Sequence, residues 1–152
     1  MFNILFLFVI IPVLTLGALF LTRSVKQVQA VAATGASLLL IAAIYLCYAF
    51  IGERQLNPDA AMLFCNEPIM WFESLNIHIA VGVDGISVLM ILLSAIIVFT
   101  GTFASWKIQP LTKEYFLWFI LLSTGVFGFF ISIDLFTMFM FYEVALIPMY
   151  LL

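Results

Sequence analysis

A glutamate, Glu143, interrupts the last apolar stretch of the sequence, which runs from Leu135 to Leu152. Read as a helix rising 1.5 Å per residue, its nine-residue distance from Asp134 is about 13 Å, near the middle of a ~30 Å hydrocarbon layer. An acid at that depth costs about 3 kcal/mol on insertion scales and is expected to face a bundle interior or a water path. A carboxyl there is pulled towards the neutral acid by desolvation and towards the anion by any nearby cation. Balanced between them, it can take up and release protons. Pro148 lacks an N–H, so the helical bond to the Val144 carbonyl is lost, a kink is expected, and a freed acceptor lies next to Glu143. Tyr142 and Thr137 add hydroxyls, although helical spacing does not set both on the glutamate's face. A proton relay and a structural carboxyl tying two helices together both remain open.

Other polar residues have simpler readings. Asp84, followed by Gly85 and an apolar run, fits an N-cap, and Asp134 fits the same role before the last run. Cys47 lies in an apolar run and Cys65 in a polar stretch, which is neither a disulfide framework nor a metal-like spacing. His78 is the one histidine and has no companion ligands, so no metal site is expected. No Gly-rich phosphate loop and no Cys cluster for iron–sulfur occurs, so no cofactor is expected in this chain.

The elements that position these residues follow from composition. The chain is 66% hydrophobic and 9% charged, whereas soluble domains are about 25% charged, so its outer surface is expected to meet lipid. With 5 basic residues against 8 acidic ones, it has no polybasic patch for nucleic acid. Runs of about 20 apolar residues span a bilayer as helices and are too long for barrel strands. They predict an all-α, polytopic transmembrane bundle as a single membrane domain, 1–152. Helices are expected at about 2–22, 28–51, 85–106, 115–133 and 135–152, with a polar outside loop at 53–82. Asn76-Ile77-His78-Ile79 alternates as a short strand would.

Arg23 and Lys26 in one short turn, and Lys107 and Lys113 in another, predict that both face the cytoplasm or its matrix equivalent. The N-terminus, the 53–82 loop and Asp134 then lie outside. Met1–Thr22 has no basic start and is too long for a signal core, so it is expected to be a retained helix. Small residues at Gly125, Gly128 and Ser132, and at Ala30, Ala33 and Ser37, predict close helix contacts.

Three blocks, Gly82-Val83-Asp84-Gly85-Ile86-Ser87, Asp134-Leu135-Phe136 and Phe141-Tyr142-Glu143 with Leu146-Ile147-Pro148-Met149-Tyr150, together resemble the M chain of NADH–quinone oxidoreductase (complex I), which corresponds to mitochondrial subunit 4. The resemblance covers most of residues 76–152; the first two helices match in character only. It implies a proton-translocating, antiporter-like subunit with no redox centre of its own, coupled to electron transfer from NADH to quinone. L-type and N-type chains would be its partners, in a bacterial inner membrane or the mitochondrial equivalent. Glu143 falls on the family's buried glutamate, which works with a lysine on a later broken helix. Asp84 and Gly85 fall on the turn before the third helix. Tyr142 departs from the tryptophan common in bacterial members, keeping an aromatic.

Family members have about fourteen helices, with inverted repeats forming proton half-channels. All five basic residues of this chain fall in the expected loops, so it is expected to be an N-terminal fragment that cannot complete a proton path alone. Two other readings are a subunit of a multisubunit cation/proton antiporter, whose members share the Gly-Val-Asp-Gly turn, and a purely structural membrane subunit in which Glu143 is dispensable.

Overall fold

The computed structural model describes residues 4–56, 62–65, 69–72, 77–107 and 112–152. The Asn57-Pro58-Asp59 and Glu67-Pro68 turns, Glu73, Asn76 and Pro110 lie outside them. Five α-helices and one hairpin make up the rest. A 3-10 turn, Ile4–Phe6, leads into α1, Leu7–Leu21, and α2 spans Val25–Leu56. β1, Ile69–Phe72, pairs antiparallel with β2, Ile77–Ile79, before α3, Gly85–Ala104, α4, Thr112–Ile131, and α5, Leu135–Leu151. The sequence pattern marks β2; its partner β1 has no alternation to betray it.

The 3-10 turn with α1, and α2, α3 and α4, are long and apolar enough to cross a membrane, while α5 is a shorter apolar helix of 17 residues. α2 has 32 residues and continues past its apolar centre at both ends, through Lys26 and Gln27 at one and Glu53 and Arg54 at the other. Hydropathy sees only the part of a helix inside lipid; a helix leaving the bilayer keeps its internal hydrogen bonds and turns polar. Hydroxyls within the helices bond back to carbonyls of the preceding turn, as Thr15 does to Ile11 at 2.7 Å and Thr102 to Val98 at 2.8 Å. That bonding satisfies them where no water reaches.

The main core lies among α1–α4. Leu5, Phe8, Ala36, Leu39, Ala43, Leu46, Ile91, Ala95, Phe127 and Ile131 are buried together, closed at one end by Val81 and Val83. That closure is built by backbone pairing: Leu63 and Val83 exchange hydrogen bonds, Gly82 N–H donates to the Ile131 carbonyl, and Ile133 N–H donates to Ala80. A second cluster of Leu19, Val28, Ala32, Phe116 and Ile120 fills the opposite end. α5 adds no buried residue to either cluster.

The two small-residue stripes fare differently. Gly125, Gly128 and Ser132 are buried, and a Cβ at Gly125 would lie 2.7 Å from the Ala145 nitrogen on α5. A Cβ at Gly128 would overlap the Phe141 ring. In α2 the expected stripe is wrong: Ala30 is exposed and Ala33 and Ser37 only half-buried. The buried face is instead Ala32, Gly35, Ala36, Leu39 and Ala43, with Gly35 pressed against Thr15 of α1. So many small residues crowd this helix that spacing alone marks more than one face.

Both basic turns lie at one end of the bundle. Lys113 Nζ donates to the carbonyls of Phe20 at 3.0 Å and Thr22 at 2.8 Å, and Gln29 Nε2 donates to the Trp106 carbonyl at 2.7 Å. Asp84, Asp134 and the hairpin lie at the other end. With the basic end inside, a membrane-impermeant maleimide applied from outside should label Glu53→Cys and miss Lys107→Cys, in a background without Cys47 and Cys65. Both positions are exposed, so labelling in the reverse pattern would invert the topology.

Candidate functional site

α5 leans on α4 and the hairpin, and this sets the direction of Glu143. Its buried residues are Thr137 and Pro148, and Phe141 and Ala145 meet the α4 glycines. At about 100° per residue, Glu143 lies nearly opposite that packed face. It is exposed, at the centre of a strip of exposed side chains formed by Phe136, Phe139, Met140, Leu146, Ile147 and Tyr150. Among the described residues it makes no hydrogen bond or ion pair. The expectation that Glu143 points into a bundle interior is therefore not met by these five helices. Depth follows from the position of an acid along the sequence; facing is decided by which side of α5 the glycines of α4 grip.

The neighbouring groups divide around it. α5 continues as one helix through Pro148 to Leu151, with Leu152 N–H donating to the Pro148 carbonyl at 2.9 Å. Thr137 turns inward, its hydroxyl buried and without a partner among the described residues. In the first turn of α5 its fourth preceding residue is Ile133, outside the helix, so no helical carbonyl is in place for it. Tyr142 is half-exposed and lines an apolar groove between α4 and α5 with Gly125, Phe129 and Ala145. Neither hydroxyl belongs to the glutamate's face.

The capping residues sit at the helix starts. Asp84 Oδ1 accepts from Ser87 N–H at 2.7 Å, and Asp134 Oδ2 accepts from Phe136 N–H at 3.0 Å and Thr137 N–H at 3.3 Å. The Ser87 backbone N–H, joined by its hydroxyl, holds the Asp84 carboxyl below its ordinary value and outweighs the opposing effect of burial. Gly85 has open space around it, with the Phe50 ring 4.0 Å from where a Cβ would stand. Gly82 is more crowded: a Cβ there would come within 2.6 Å of Ile133 Cδ1 and 2.9 Å of the Cys65 sulfur, both ends of side chains that can shift. That crowding comes from residues distant in the chain. Cys47 is half-buried and Cys65 exposed, both free. Among the described residues no three His, Cys, Asp or Glu side chains gather as metal ligands.

No family model matches the sequence. Among curated proteins, NAD(P)H-quinone oxidoreductase chain 4 3 of Picosynechococcus sp. is 33% identical over 107 residues, 70% of this chain and 19% of that protein. The chloroplastic chain 4 of Agrostis stolonifera is 33% identical over 116 residues, 76% of this chain and 23% of its own. NADH-quinone oxidoreductase subunit M of Buchnera aphidicola is 35% identical over 89 residues, 58% and 18% respectively. The chain thus spans about a fifth of the length of the relatives it matches. Among solved structures, a chain of the membrane-bound sulfane sulfur reductase, an archaeal respiratory membrane complex, superposes with a TM-score of 0.72 at 19% identity, covering 99% of this chain and 30% of that one. That likeness concerns the fold alone. Spanning helices and membrane-subunit relatives together make this an integral, multi-pass membrane protein.

Proposed function

The chain is homologous to the chain 4 and subunit M family of NAD(P)H-quinone oxidoreductases, and on that premise we propose that it belongs to a proton-translocating, antiporter-like subunit coupled to quinone reduction. Glu143 is the relay group in this reading. The observation that favours it is the placement of one carboxyl at mid-membrane depth on an exposed, otherwise apolar face of α5. Facing lipid, that carboxyl would cost about 3 kcal/mol. Covered by further protein with a cation or water, it becomes a group that gains and loses a proton as its surroundings change. A lysine on a later helix of the same subunit, as the family resemblance implies, would supply the cation. Other membrane subunits of an oxidoreductase complex are its partners, and the redox chemistry resides outside this chain.

The test is translocation in vesicles from cells lacking the gene. Proton uptake driven by a nicotinamide nucleotide and quinone should vanish and return when the gene is restored. Unchanged redox-driven uptake, with sodium–proton exchange lost instead, would overturn this reading in favour of a cation/proton antiporter.

A further inference from the structure

The basic end of the bundle holds more than a topology signal. Arg23, Lys26, Lys107 and Lys113 gather there, and Glu114 is the one acid among the described residues of the same end. Lys113 is engaged, its ammonium donating to the last carbonyls around the end of α1. Arg23, Lys26 and Lys107 are exposed, and none has a carboxylate partner among the described residues. Two of them are brought together by the fold. Gln29, one turn after Lys26 on α2, donates to the carbonyl of Trp106, the residue before Lys107. A bond across 77 positions therefore sets the two lysines at one corner between α2 and the α3–α4 connection.

The corner also has an apolar wall. Trp106 and Phe103 stack with ring centroids 5.6 Å apart and planes 6° from parallel, and both are exposed. Phe99 meets Phe103 edge-on at 4.9 Å, continuing the aromatic surface one turn deeper. Tryptophan beside lysine at the end of a spanning helix is where headgroup meets acyl chain, because the ring buries its body in lipid and keeps a polar edge in water. Free cations immediately outside such a wall match the phosphodiester of a lipid headgroup; a soluble anion would have no use for the aromatic steps beneath them.

We propose that Lys26 and Lys107, linked through the Gln29–Trp106 bond and flanked by the Phe103–Trp106 stack, form a binding site for an anionic phospholipid at the basic end of the bundle. The lysines hold the phosphate and Arg23 adds charge from the preceding turn. The rings line the path of the glycerol and upper acyl chain. The proposal does not depend on Glu143 or on proton movement.

The test uses the full-length protein in its native assembly, delipidated and re-equilibrated with phosphatidylglycerol or phosphatidylcholine, with bound lipid counted by native mass spectrometry. Phosphatidylglycerol should be retained preferentially. Lys26→Gln with Lys107→Gln should weaken that retention about thirtyfold, while Arg54→Gln at the far end should leave it unchanged. Trp106→Ala should weaken retention of phosphatidylglycerol but have no effect on binding of inorganic phosphate. Equal retention of the two lipids, or retention of phosphatidylglycerol untouched by the double substitution in a correctly assembled protein, would overturn the proposal.

Discussion

Gly128→Leu should prevent α5 from docking and sharply lower the yield of assembled protein. α4 presents Gly125 and Gly128 to α5, and a Cβ alone at position 128 would overlap the Phe141 ring. In lipid no hydrophobic drive holds two helices together, so close backbone approach is the attraction itself, and a side chain that separates the backbones removes it. Overpacking a tight core by a few methylenes costs about 1–3 kcal/mol, and a whole isobutyl group at this contact should exceed that. α5 buries little elsewhere, so few other contacts can retain it. Ile97, 56% exposed on α3, serves as the lipid-facing comparison, and Ile97→Leu should be silent. The readout is the fraction of protein migrating at its assembled size in mild detergent. Equal fractions for both variants would mean that the stripe is not what holds α5.

Much of this architecture was open to sequence reasoning because membrane helices advertise themselves twice, by apolar length and by the caps that begin them. Asp84 and Asp134 mark the starts of α3 and α5, and Gly125 and Gly128 of the small-residue stripe identify the α4 face that grips α5. Three features were hidden because they arise from contacts between segments and not from the pattern of any one segment. β1 is visible only through its pairing with β2, and the crowding around Gly82 by the Ile133 and Cys65 side chains arises only once the chain is folded. The buried face of α2 is chosen by where Thr15 of α1 happens to lie. At the candidate site, the depth of Glu143 could be counted in residues. Its direction depends on the α4 contact, and what it faces lies outside these five helices.

Glu143→Gln should abolish most redox-driven proton translocation while leaving the subunit assembled. Because the side chain is exposed on α5 and touches neither core cluster, its amide should not disturb α1–α4. Gln keeps the shape and one good acceptor but cannot bind and release a proton. Glu143→Asp keeps an ionisable group one methylene short, so it should retain part of the activity. Loss of a proton-transferring group costs roughly 10²–10⁴-fold in comparable chemistry, well beyond the effect of losing one hydrogen bond. A structural carboxyl would order the variants differently: Gln would be tolerated, and Asp, which shortens the reach, would be the more harmful change.

The measurement that bears most directly on the proposed role is proton pumping in vesicles, compared for wild type, Glu143→Gln and Glu143→Asp at matched levels of assembled complex. A relay predicts near-complete loss for Gln and partial activity for Asp, with electron transfer falling in step. Near-normal pumping by the Gln variant would contradict the relay and leave Glu143 as a tie between helices.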